Sequence, residues 1–164
     1  MIIRFPDVTR QTLAGRSMRW ALHTFWRFSR GLTMGVRGVV LDDEDRVFLI
    51  RHTYVSGWHL PGGGVETGET AEDALRRELH EEACIRVDGE PVTHGVFHNP
   101  GASRRDHVVV YVVRAFTVAG IKAPDREIAE AGFFPLDALP EATTAATRRR
   151  LAEIRDGLRP AQTW

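Results

Sequence analysis

Apolar positions recur along this chain in short runs divided by polar turns, and one segment with helical spacing interrupts them. Met34 to Leu41 and Arg46 to His52 flank the acidic turn Asp42-Asp43-Glu44-Asp45, which predicts two strands joined as a hairpin. Ile85 to Val87, Val92 to His98 and His107 to Thr117 are further strands; the unbroken VVVYVV of the last predicts burial on both faces. Phe133-Phe134 follows, then a turn at Leu136 to Leu139. Residues 143 to 158 form a helix with Leu151, Ile154 and Leu158 at core spacing. Strands interleaved with helices place the chain in the α/β class, with a mixed sheet between helices.

The helical interruption begins after Thr70, an N-cap with Asp73 three residues on, and runs through good helix formers to about Ala83. At about 100° per residue, Ala71, Ala74, Leu75, Glu78, Glu82 and Ile85 share one broad stripe, with Leu79 on one flank and Glu81 on the other. Glu72, Asp73, Arg76, Arg77 and His80 face away. A Glu-rich helix is ordinarily a solvated surface, but here Glu78, Glu81 and Glu82 continue the apolar stripe, where adjacent carboxylates repel and lose hydration. A divalent cation resolves that conflict, and hard oxygen ligands suit Mg²⁺ or Mn²⁺. Glu69 is close enough in sequence to reach the same cluster.

The loop before this helix, Pro61-Gly62-Gly63-Gly64-Val65-Glu66-Thr67-Gly68, can bring backbone amides close to a diphosphate. No Lys-Ser or Lys-Thr follows it, which excludes a Walker A loop, and Thr67 breaks a G-x-G-x-x-G beginning at Gly62. Gly63, Glu69, Arg77, Glu78, Leu79, Glu81, Glu82 and Ile85 match the pattern G-x5-E-x7-R-E-U-x-E-E-x-G-U, where U is bulky and aliphatic; Cys84 replaces the second glycine. The chain thus resembles the Nudix hydrolases. The resemblance implies an α/β/α sandwich with a mixed sheet, a short strand at Trp58-His59-Leu60-Pro61, and metal-dependent cleavage of diphosphates. Metal would be held by Glu78, Glu81 and Glu82, with Gly62 joining the set. Arg77, an ordinary surface ion-pair partner on spacing alone, would orient a box glutamate. Glu78 is one candidate base. The family sometimes places an extra glutamate before the final strand, where Glu127 is the first candidate and Glu130 the second.

Selectivity is expected outside the box. Arg37 and Arg51 near the first turn, and Arg104 and Arg105 in the loop Asn99 to Asp106, are candidate phosphate contacts alongside Gly63, because guanidinium forks match phosphate oxygens. The expected reaction is hydrolysis of a nucleoside diphosphate joined to another group, X, with a small nucleotide as partner. A nucleoside triphosphate is the alternative substrate, and a non-catalytic nucleotide sensor the alternative function, although the glutamate set is complete.

Composition narrows the setting. The 164 residues, 43% of them hydrophobic, suffice for one core: a hydrolase domain over 33–160 after a basic extension over 1–32. In that extension Met18, Leu22, Phe25 and Trp26 recur at helical spacing among Arg16, Arg19, Arg27 and Arg30. Such a helix packs on its own domain or on a second subunit, which would make a homodimer; its arginines alone establish neither a membrane surface nor nucleic acid as partner. The single Cys excludes an internal disulfide framework and fits a reducing cytoplasm, and no apolar run is long enough to span a bilayer.

Overall fold

The computed structural model describes residues 31–120 and 122–164, together with position 25. The expected N-terminal amphipathic helix therefore lies outside the described residues, apart from Phe25, which is exposed. Thr33–Trp164 forms one compact unit. Its strands are β1 (Thr33–Val40), β2 (Arg46–His52), β3 (Trp58–His59), β4 (Ile85–Val87), β5 (Val92–His98), β6 (Asp106–Val113), β7 (Phe116–Val118) and β8 (Ile128–Pro135). Helix α1 spans Ala71–Ala83 and α2 Ala145–Arg155.

One sheet has the order β1-β6-β5, with β1 parallel and β5 antiparallel to the central β6. A second, β3-β2-β8, is antiparallel throughout, and β4 pairs with β7 in a third. The free edge of β1 is covered by the glycine loop: Gly38 donates to Pro61 O at 2.9 Å, Val36 to Gly63 O at 2.8 Å and Val65 to Met34 O at 2.8 Å. The loop is thereby fixed as an extra edge of the mixed sheet.

Strands β1 and β2 do not form the expected hairpin. The turn is present, with Asp42 accepting from the Glu44 and Arg46 amides and Asp45 at φ 53°, but the strands meet only at the bridge Leu41–Val47 and diverge into different sheets. Consecutive residues explain this, since Val39 and Val40, like Leu49 and Ile50, are fully buried on opposite faces. The expected strand from His107 to Thr117 is two strands: Ala115 O accepts from the Asp88 and Gly89 amides, and β7 turns away to pair with β4. Phe133 and Phe134 are the end of a longer strand paired along β2. Helix α2 stops at Arg155, and Gly157, at φ 61°, turns the chain outward, so Leu158 is exposed instead of lying in the core.

Two cores fill the unit. The first packs Leu75 and Leu79 of α1 against Val36, Val40, Ile50 and Val109; the second joins Val39, Leu49, Leu60, Phe97 and Val110 to Leu151 of α2. The central strand β6 contributes to both, as its unbroken apolar run predicts. Trp164 also packs in the second core, and its segment lies along β5, with His98 N donating to Gln162 O and Trp164 N to His98 O.

Candidate active site

The capping box fixes where α1 begins. Thr70 Oγ1 accepts from Asp73 N at 3.1 Å, and the Asp73 carboxylate accepts from Thr70 N at 3.4 Å. With Leu75 and Leu79 seated in the core, the next positions on the stripe carry Glu78 and Glu82 toward the glycine loop. Gly62 N donates to Glu82 Oε2 at 2.7 Å. A Cβ on Gly63 would lie 2.3 Å from Glu78 Oε1, so the missing side chain makes room for that carboxylate. A Cβ on Gly62, at φ 135°, would lie 2.2 Å from Val36 O, and only glycine fits there.

Arg77 does not pair with Asp73 along the helix. It spans the site instead, donating from Nε to Glu69 Oε1 at 3.0 Å, from Nη1 to Glu78 Oε1 at 2.7 Å and from Nη2 to Gly64 O at 3.1 Å. These bonds, first to Glu69 and then to Glu78, hold its guanidinium firmly charged. Glu81 is nearer the rim, 59% exposed and 3.6 Å from Arg77, and so does not share the inward setting of its neighbours. Glu82 is buried, and desolvation pushes its carboxyl up to about 7, against the Gly62 hydrogen bond and the positive charge of Arg37. Its neighbours Glu78 and Glu127 push it the same way.

Of the other expected residues, Arg37 and Gly63 line one cleft of about 320 Å³ between the glycine loop and the Asn99–Asp106 loop. Arg51 is paired with Glu130 at the surface, and Arg104 and Arg105 are exposed on the loop. Glu127 is exposed immediately before β8, within electrostatic range of Glu82 and Tyr54. A larger cavity of about 390 Å³, between Leu136–Leu139 and α2, contains none of the box residues. Spacing along the chain does not single out His52, whose ring lies 5.1 Å from that of Tyr54 and 5.7 Å from that of His59. His52 and His59 are brought near one another by the pairing of β2 with β3.

The carboxylates fit a hard divalent cation. Glu82 is buried beside the like charge of Glu78 and its proton affinity is raised, and carboxylate oxygens are hard ligands. Among the described residues no three acidic, His or Cys side chains are placed to hold an ion by themselves, so water and substrate oxygens would complete the shell, as is common for Mg²⁺.

A glycine loop docked on a sheet edge, facing oriented carboxylates on a helix, is an arrangement suited to hydrolysis of phosphorus-containing anhydrides. A NUDIX domain model matches residues 31–153, and the chain belongs to that family as a Nudix-type pyrophosphohydrolase. It is 30% identical over 128 residues to a MutT-like protein of Streptomyces ambofaciens, covering 78% of this chain and 80% of that one. It is 33% identical over 106 residues to an ADP-ribose pyrophosphatase of Methanocaldococcus jannaschii, covering 62% of each. The MutT NUDIX hydrolase structure from Burkholderia pseudomallei superposes with a TM-score of 0.64 at 28% identity, covering 74% of this chain and 97% of that one. Enzymes of this family generally use divalent metal cations. No described helix is long and apolar enough to cross a membrane.

Proposed function

We propose that the protein is a Mg²⁺-dependent hydrolase of a nucleoside diphosphate linked to a further group X. The observation that carries this reading is the joint placement of Glu78 and Glu82 against Gly63 and Gly62, with Arg77 holding Glu78. Similarity to an ADP-ribose pyrophosphatase supports the substrate class. Glu78, Glu81 and Glu82, completed by water and substrate oxygens, would hold Mg²⁺ or Mn²⁺, with Gly62 at the inner end of the set; the ion would supply charge neutralisation and Lewis acidity. Arg77 keeps Glu78 and Glu69 in register. Glu127, exposed just before β8 and within electrostatic range of Glu82, is the first candidate to take the proton of the attacking water and Glu78 the second, and Gly63 lets the diphosphate approach the loop. Arg37 contacts substrate from the cleft.

A hydrolysis screen over nucleotide sugars, dinucleoside polyphosphates and nucleoside triphosphates with Mg²⁺ tests the reading. Turnover is expected on a diphosphate-linked nucleotide and is expected to fall at least about tenfold in Glu82→Gln and Glu81→Gln, equivalent to about 1.4 kcal/mol of barrier. Unchanged rates in both variants would remove them as metal ligands, and a preference for triphosphates would transfer the assignment to that class.

A further inference from the structure

Glu127 lies in the segment between β7 and β8 and is held by its backbone. Its amide donates to Asp125 Oδ1 at 2.8 Å, and its carbonyl accepts from Thr53 N, just past the end of β2, at 2.9 Å. The same Asp125 oxygen accepts from Ile128 N at 2.7 Å, and Asp125 N donates to Ile128 O at 2.9 Å. An aspartate that gathers amides two and three residues on makes a local turn. Here the turn sets the direction in which Glu127 leaves the chain before β8 begins.

The other carboxylate oxygen of Asp125 connects this turn to the helix of acids. It accepts from Lys122 Nζ at 2.5 Å, and the same ammonium donates to Glu81 O at 2.8 Å. Glu81 is in the last turn of α1, where carbonyls lack partners within the helix and a cation meets the negative end of the dipole. A second tie lies close by, Ala119 N donating to Cys84 O at 2.8 Å. The Lys122 side chain is only 15% exposed, and its two contacts offset the hydration it gives up. Capping α1 requires only the bond to Glu81. The bond to Asp125, whose other oxygen holds the Glu127 amide, is what relates Glu127 to the helix.

The geometry points to Lys122 as a positioning residue for the reaction: through Asp125 it fixes the backbone of Glu127 against the helix that carries Glu78, Glu81 and Glu82. This deepens the hydrolase reading above and rests on it for Glu127 as the first candidate base.

The test compares Lys122→Met, Asp125→Ala and Glu127→Gln in the full chain, together with each of the first two combined with Glu127→Gln. Turnover is measured with Mg²⁺ on whichever of ADP-ribose, UDP-glucose and diadenosine tetraphosphate the wild type hydrolyses fastest. Exchange of the Glu127 and Ile128 amides is followed by NMR and needs no substrate. Lys122→Met and Asp125→Ala are each expected to lower kcat about tenfold with KM little changed, as when a reacting group is misplaced without leaving the site. Both are expected to speed exchange of the two amides by at least about tenfold. In the Glu127→Gln background neither is expected to lower kcat further, because the group they position is gone. A merely structural clasp would cost the same in both backgrounds, and such additivity would overturn the proposal. Wild-type kcat or wild-type exchange in the folded variants would overturn it as well, and so would a raised Mg²⁺ requirement in place of a lowered kcat, which would move the effect to Glu81. With Glu127→Gln itself slow, these outcomes remove the role of Lys122 and leave the base in place. A wild-type rate in Glu127→Gln would instead overturn the base assignment, and this proposal with it. Asp125→Ala keeps the Lys122–Glu81 bond, so it carries the test should Lys122→Met fail to fold.

Discussion

At Cys84 the backbone is left-handed, φ 53° and ψ 34°, and its amide closes the end of α1 onto the His80 and Leu79 carbonyls. This is where the box pattern has glycine, and a Cβ there costs on the order of 1 kcal/mol. Cys84→Gly is accordingly expected to stabilise the fold by up to about 1 kcal/mol in urea unfolding and to leave turnover intact, since Cys84 contacts no proposed ligand; an inactive, folded variant would refute the carboxylate mechanism. Glu82 supplies a second test. Burial raises its carboxyl from the ordinary 4.5 to about 7 in the absence of metal. Between those values the folded protein keeps a proton that the unfolded chain has lost, so metal-free stability falls as pH rises through the window, and the whole penalty is present above it. At about 1.4 kcal/mol per pKa unit the loss is on the order of 3 kcal/mol. Unfolding in EDTA at pH 5 and pH 8 is expected to show this fall in wild type and not in Glu82→Gln. The same slope in both proteins would place the titrating group elsewhere. Both residues could be singled out in the sequence, Cys84 by departing from a pattern and Glu82 by continuing an apolar stripe. The resemblance implies that Arg77 orients a box glutamate, but spacing alone could not pick out Glu69, which is eight residues away and reaches Arg77 only once the loop folds back.

Elements whose boundaries depend on local chemistry were legible, and those that depend on partner choice were not. The α1 cap, β4 and β5 lie where side-chain pattern places them, because capping and short apolar runs are local properties. The β1–β2 hairpin fails because a tight turn reports reversal of the chain, while pairing depends on which faces are buried, and here both faces are. Glycine shows the same division. The run Gly62-Gly63-Gly64 is plain in the sequence, but the three positions have different duties: Gly62 abuts the Val36 carbonyl, Gly63 abuts the Glu78 carboxylate and Gly64 has open space. Gly62→Ala is expected to undock the loop from β1 and destabilise the protein by several kcal/mol, since backbone cannot yield. Gly63→Ala is expected to displace only a flexible carboxylate, lowering turnover at least about tenfold with little change in melting temperature. Equal damage to stability from the two would mean that Glu78 is held more rigidly than its contacts indicate.

At the scale of the whole molecule, the two cores divide the labour, one seating α1 and its acids and the other holding α2 and residues 160–164. The link in the second core is Arg150, fully buried and stacked 4.1 Å over Phe97, donating to Thr163 O at 3.0 Å and to Glu153 Oε1 at 2.6 Å. Glu153 in turn meets His94 at 2.9 Å and accepts from Ala161 N at 3.1 Å. Nothing in the run Arg148-Arg149-Arg150 distinguishes the buried member from its neighbours, because burial follows from where α2 docks. Removing one partner of a buried ion pair leaves the other charge uncompensated, typically at about 3–5 kcal/mol. Arg150→Ala is therefore expected to lose about 3 kcal/mol, the lower end of that range, because His94 and the Ala161 amide still serve Glu153. The site carboxylates belong to the other core, so turnover per folded molecule should be unchanged. Urea titration alongside active-site-normalised rates checks both halves: a loss comparable to that of a surface arginine would remove Arg150 as the link, and a fall in turnover without unfolding would show that the second core also shapes the cleft, through His98 and the loop that begins beside it.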